Sequence, residues 1–329
     1  MTVTRIKDAG SQCTLFKPLF FPKNGETLSM PKDKTVVLSG ATGFLGSHIL
    51  EALIQCGHKV IGLKRSTSNL CRVKSMLDKV VLIDVDKVSL STAFEGDKVD
   101  AVIHTACDYG RGNQLASVVV ETNLMFSLRL LETATFFNTD TFFNTDTLLQ
   151  KHLNVYALSK SQFVEWLKLF SNRIRVVNLR LEHMYGPGDD ERKFVIWAMR
   201  QMMSDAKSIS LTPGEQKRDF VYADDVVKAY IHLLDRQDQD QPFIEYNVGS
   251  GTLTRIKAFL ALMKEEIEKQ LGRPIKPRLD FGALPYREGE PMEPEMDIRA
   301  LLDTGWKPLT DLRTGLTYTI KSIMQSERK

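Results

Sequence analysis

From residue 34 onward, short apolar runs alternate with stretches of helical period. Thr35-Val36-Val37-Leu38 predicts a buried strand. Residues 46–57 place Ile49, Leu50, Leu53 and Ile54 on one helical face, and Gly57 is a natural stop. Strands are expected at 59–63, 80–83, 101–105, 135–138 and 175–179, with helices at 121–134 and 156–170. Apolar strands alternating with helices imply a parallel sheet covered on both faces. The expected class is therefore α/β, a doubly wound parallel sheet.

After Leu181 the rhythm loosens, and helical stretches return at 193–203 and 255–271. This reads as a smaller C-terminal lobe on the side of the sheet where doubly wound folds bind ligands. The expected division is 34–181 plus about 214–247 for the dinucleotide domain, and 182–213 plus 248–329 for the substrate lobe. Residues 1–33 are polar, punctuated by Gly10, Pro18, Pro22, Gly25 and Pro31, and read as an N-terminal extension.

Composition narrows the class of partner. The 329 residues are 43% hydrophobic and 26% charged, ordinary for a globular protein. A net charge of +3 with no basic block gives no reason to expect nucleic acid. No apolar stretch has transmembrane length, and Lys17 and Pro18 interrupt the patch at 15–21, so neither a membrane span nor a secretory signal is expected. Cys13, Cys56, Cys71 and Cys107 form no zinc spacing, which predicts no metal site and reduced thiols in a cytoplasmic protein.

The first candidate chemistry lies between the first strand and its helix. Gly40, Gly43 and Gly46 have the spacing G-x-x-G-x-x-G. Such a loop lets a diphosphate approach the backbone at the positive end of a helix. An enzyme using NAD usually places an acid after the second strand, to hold a ribose 2′-hydroxyl. Here Lys64-Arg65-Ser66 stands there, two cations suited to a 2′-phosphate, so NADP(H) is the expected cofactor. Asp84, after the third strand, is the expected partner of the adenine amino group.

Tyr156 and Lys160, four apart, share one face of a predicted helix. A phenol titrates near 10. A neighbouring ammonium favours its phenolate and makes proton exchange easier.

Gly40-x-x-Gly43-x-x-Gly46, His104-Thr-Ala106, Tyr156-x-x-x-Lys160 and Arg218-Asp-Phe-Val-Tyr-Ala-Asp224 together resemble the extended short-chain dehydrogenase/reductase superfamily, over about 34–316. The resemblance implies a Rossmann domain, a C-terminal substrate lobe and a nucleotide-sugar substrate. It implies cofactor contacts from Thr42, Phe44 and Leu45, from Val85, and from Thr105, Ala106 and Cys107. Tyr156 would be the acid/base, and Lys160 would also hold the nicotinamide ribose. A hydroxyl at the end of the fifth strand would bind the reacting oxygen. The tandem hexapeptides at 135–140 and 141–146 offer Thr139 and Thr145 for it. Thr139 is preferred, since it ends the expected strand and leaves a long loop before Tyr156. Asp140 would orient a substrate hydroxyl. Arg218 and Arg287 would grip the diphosphate, His183 would donate to phosphate, and Lys193 and Phe194 would meet the base. A homodimer is implied by the same analogy.

Residues 136–310 more narrowly resemble bacterial CDP-abequose and CDP-paratose synthases, through Asn138-Thr-Asp140, 180–189, 214–220 and Phe281-Gly-Ala283. That resemblance implies NADPH-dependent reduction of a 4-keto group in O-antigen synthesis. Asp140 is followed by Thr141, so the Glu that a sugar 4,6-dehydratase places there is missing. Two other readings compete: a C4 epimerase with retained NAD, which Lys64 and Arg65 oppose, and a non-catalytic dinucleotide sensor, which the intact Tyr and Lys oppose.

Overall fold

A computed structural model describes residues 33–236 and 241–327. The expected N-terminal extension lies almost wholly outside the described residues. Seven parallel strands form the central sheet: β1 (Thr35–Ser39), β2 (Lys59–Lys64), β3 (Val81–Asp84), β4 (Ala101–His104), β5 (Thr141–Thr147), β6 (Arg175–Leu181) and β10 (Phe243–Val248). Their order is β10-β6-β5-β4-β1-β2-β3. The order reverses between β1 and β4, which opens a crevice at the carboxyl ends of these strands.

Alternation along each strand divides the core. Val36, Leu38, Ile103, Phe143 and Val177 face one side, under α1 (Phe44–Gln55) and α6 (Ala223–Asp235). Val37, Val102, Phe142 and Val176 face the other, under α3 (Ser127–Phe136) and α4 (Val155–Phe170). Burial on both faces is why these strands read as unbroken apolar runs. The doubly wound α/β class is as expected.

A separate apolar cluster packs the C-terminal part of the chain. It joins α5 (Phe194–Met203), α7 (Ile256–Leu271) and α9 (Leu312–Glu327), with Phe220 stacked on Phe259 at 3.8 Å between ring centres. Smaller strands frame it: β7 (His183–Tyr185), β8 (Ser208–Leu211), β9 (Lys217–Tyr222), β11 (Leu253–Arg255) and β12 (Arg278–Phe281). The short helix α8 (Arg299–Leu302) lies against β10.

One element differs from expectation. The fifth strand is the second hexapeptide, not residues 135–138. The first copy completes a helical run that begins with α2 (Ala116–Val120) and passes through a π segment, Glu121–Phe126, into α3. Phe136 of the first copy is 78% exposed, whereas its counterpart in the second, Phe142, is 0% exposed. The copies are identical in sequence, so pairing with β4 and β6 decides which becomes strand. A second difference concerns the thiols: Cys56 and Cys107 are free, but Cys71 is disulfide-bonded. Among the described residues no helix is long and apolar enough to cross a membrane.

Candidate active site

A cleft of about 2850 Å³ runs along the carboxyl ends of the sheet strands and under the C-terminal cluster. Its first wall is the glycine loop. Gly40 has φ +70°, and a Cβ there would lie 2.7 Å from the Ala106 nitrogen. A Cβ on Gly46 would lie 2.0 Å from the Gly40 carbonyl oxygen. Backbone therefore packs against backbone, and side chains are excluded. Gly43 caps α1 without a side chain to bond its first N–H groups, and no acid occupies the first turn. That end of α1, opening on the cleft, suits a dinucleotide diphosphate. Thr42, Phe44, Leu45, Thr105, Ala106 and Cys107 line the same stretch. His104 is buried behind it, with Nδ1 2.6 Å from Ser39 Oγ and Nε2 2.7 Å from Ser127 Oγ. It ties β1 and β4 to the helical layer and does not reach the cleft.

Lys64, Arg65 and Val85 line the next stretch. Asp84 does not. Its carboxylate accepts from Lys64 Nζ at 2.9 Å and from Ser66 Oγ, and the Lys64 hydrogen bond holds it below the usual carboxylate range. Arg65 lies 3.5 Å from Asp86 and its side chain is 67% exposed. Asp84 is thus committed to the cations beside it rather than turned toward an adenine.

Tyr156 and Lys160 project from the first turns of α4 into the cleft. Asn154 caps this helix, its side chain accepting from Ala157 N at 2.8 Å. Burial chiefly pushes the Tyr156 phenol well above its ordinary value, helped by Cys107, Tyr109 and Asp146; a hydrogen bond with Thr147 acts the other way. The phenol is protonated at neutral pH, the state of a proton donor. Burial lowers Lys160, and Asp146 and then Cys107 oppose that.

Thr139 and Asp140 are not part of this group. Thr139 is buried before β5 begins, beside Asn138, whose φ is +55°, and next to residues 171–175. Asp140 pairs on the surface with Lys98 at 2.7 Å. Both sit at the amino end of β5, the wrong end of the strand. The second hexapeptide brings Thr145 and Asp146 to the cleft instead, with Thr147 directly after it. Thr145 Oγ1 lies 2.6 Å from Tyr230 OH, and Thr147 is the threonine whose hydroxyl acts on the phenol, favouring its ionised form.

His183, Lys193, Phe194, Arg218 and Arg287 all reach the cleft. His183 Nδ1 lies 3.1 Å from Glu182. Lys193 pairs with Asp189 at 2.9 Å, and its ammonium sits 5.1 Å from the centre of the Phe44 ring. It therefore joins the glycine loop to the substrate side. Phe194 packs on Trp197 and Phe259. Arg218 is engaged already, donating to Glu290 and, at 2.7 Å, to the Pro291 carbonyl. Arg287 is exposed at the rim.

Sequence reading missed two features. Tyr109 lies over the site, its ring 5.0 Å from that of Tyr156 and 4.9 Å from the Arg111 guanidinium. Its loop is held by Asn123, fully buried in the π segment, which accepts from Asp108 N at 2.7 Å and donates to Asp108 O at 2.8 Å. No local motif announces such a clamp; a π turn inside a helix is its structural mark. Among the described residues no group of three or more His, Cys, Asp or Glu could hold a metal ion.

This arrangement has recognisable relatives. The family model described as "NAD dependent epimerase/dehydratase family" matches residues 36–249. CDP-abequose synthase of Salmonella typhimurium is 32% identical over 302 residues, 88% of this chain and 98% of that protein. A putative UDP-glucose 4-epimerase of Methanocaldococcus jannaschii is 26% identical, over 89% of this chain and 99% of that one. In fold, the chain resembles UDP-glucose 4-epimerase from Thermotoga maritima, with a TM-score of 0.76 at 21% identity, covering 89% and 99% of the two chains. The glycine cradle, the Tyr156–Lys160 pair and these matches lead to one conclusion: the chain belongs to the NAD dependent epimerase/dehydratase family.

Proposed function

We propose that this protein reduces the 4-keto group of a CDP-linked deoxyhexulose with NADPH, yielding a deoxysugar for O-antigen or related polysaccharide synthesis. The observation that carries this reading is that Tyr156, Lys160 and Thr147 line the same cleft as the glycine cradle. Identity of 32% with a CDP-abequose synthase across nearly the whole of that protein supports the choice of substrate class.

Gly40, Gly43, Gly46 and the amino end of α1 would hold the dinucleotide diphosphate, with Lys64 and Arg65 toward the 2′-phosphate. When bound, a reduced nicotinamide supplies the hydride that C4 accepts. Tyr156 donates its phenolic proton to the carbonyl oxygen as negative charge develops there. The Thr147 hydroxyl takes the place assigned to Thr139 and hydrogen-bonds that same oxygen. Lys160 stabilises the phenolate left on Tyr156 and holds the ribose. Arg218 exchanges Glu290 for substrate phosphate, and Arg287 closes on the diphosphate from the rim. His183 donates to the phosphate, while Lys193 and Phe194 meet the base. The test is a panel of CDP-, GDP-, dTDP- and UDP-4-keto-deoxysugars scored by NADPH consumption. The reading requires turnover with a CDP sugar and fails if every member is inert.

One observation favours a second reading. Asp84 compensates Lys64, which weakens the cationic patch and brings back a C4 epimerase that retains NAD. The dinucleotide that co-purifies decides: firmly held NAD favours the epimerase, and exchangeable NADP(H) the reductase.

A further inference from the structure

Lys160 is 2% exposed, and none of the ion pairs among the described residues includes it. A cation this deep needs a compensating charge to stay protonated. Four titratable groups lie on its side: Asp146, 8% exposed, which alternation along β5 puts with Phe142 on the face under α4; His104, which alternation along β4 puts with Val102 on that same face; and Cys107, from the loop after β4, and Tyr156, from its own helix, which line the cleft with it. His104 is buried and neutral, and burial keeps the Cys107 thiol and the Tyr156 phenol protonated. Only Asp146 can supply a standing negative charge.

The carboxylate of Asp146 is held from behind. Asn178 on β6 is fully buried, and its Nδ2 donates to Asp146 Oδ2 at 3.3 Å and to Glu245 Oε2 at 2.7 Å. Its Oδ1 accepts from Asn144 Nδ2 at 2.7 Å, which leaves the amide one orientation, with its hydrogens toward the carboxylates. Glu245 on β10 in turn meets Arg180 at 3.3 Å. A polar chain therefore runs across three adjacent strands, from the sheet edge to the Tyr156–Lys160 pair.

We propose that Asp146 is the counter-ion of Lys160, and that Asn178 is a positioning residue that presents its carboxylate to the ammonium. This deepens the function proposed above by naming what keeps Lys160 charged, but its test needs no substrate or cofactor. The test follows the 15N resonance of the Lys160 ammonium, identified by its loss in Lys160→Arg, through a pH titration of the free full-length protein. Asp146→Asn is expected to lower the titration midpoint by about one unit or more, and Asp146→Glu to recover most of that shift. Asn178→Ala, which keeps both carboxylates, is expected to lower it in the same direction by less. An unchanged midpoint in Asp146→Asn overturns the proposal, including when the melting temperature falls, since that marks a purely structural role. If Asp146→Asn fails to fold, an unchanged midpoint in Asn178→Ala overturns it equally. A failed ketone-reduction assay has no bearing on this titration.

Discussion

At the scale of single residues, the division of labour around Tyr156 can be tested by deletion of one oxygen at a time. Tyr156→Phe should lower turnover by about 10²- to 10⁴-fold, the usual contribution of a positioned acid. Its NADPH affinity, read by fluorescence titration, should be nearly unchanged. The threonines separate the two ends of β5. Thr147→Val should cost on the order of a hundredfold in turnover, as the loss of an oxyanion donor does. Thr139→Val should leave turnover intact, and a large loss there would restore the original choice. The Tyr156–Lys160 pair was legible because spacing on one helix is a local property. The partner hydroxyl was not, because Thr147 lies one residue beyond the second of two identical hexapeptides, and only pairing with β4 and β6 shows that the second copy is the strand. The engagement of Arg218 by Glu290 was also invisible, since it joins residues 72 apart.

At the scale of elements, α4 depends on its start. Asn154→Ala removes the hydrogen bond to Ala157 N and should cost about 1 kcal/mol in chemical denaturation. The start of α6 carries a different cost. Asp224 is raised from 3.8 to about 6, chiefly by burial, and that burial outweighs the favourable end of the helix dipole. A carboxyl whose folded value is raised binds its proton more tightly in the native state. Stability therefore falls as pH rises from about 4 through 6. Asp224→Asn should stabilise the protein by about 1 to 3 kcal/mol at pH 7.5 and by nothing near pH 3.5, read from denaturant midpoints at both values. His48, 3.8 Å away and lowered to about 4 by burial, acts oppositely: its contribution grows with pH between about 4 and 6.5. The wild-type profile in that window should be flat, and the variant's should rise. The apolar period foretold most strands and their helices. The helices α6 and α9 escaped the reading because they follow the loosened rhythm beyond Leu181, where loops interrupt every pattern.

At the scale of the whole molecule, the adjoining helical layer bears on assembly. The helices α2 and α4 pack together, and their outer surfaces leave Val118 45%, Trp166 40% and Leu169 65% exposed. An apolar surface of this kind suits a second copy of the chain. Light scattering should give the mass of a dimer, and Trp166→Glu with Leu169→Glu should give that of a monomer. Beyond assembly, the fold brings the glycine loop, Tyr156 and the arginines Arg218 and Arg287 to one cleft, and the proposed function reads these as dinucleotide cradle, acid and phosphate contacts. The decisive measurement is NADPH consumption with a CDP-4-keto-3,6-dideoxyhexose, wild type against Tyr156→Phe. The wild type should consume one NADPH per sugar reduced, and the variant little. Equal consumption by both proteins, or none by either alongside interconversion of a nucleotide sugar's C4 epimers, would contradict the proposed function.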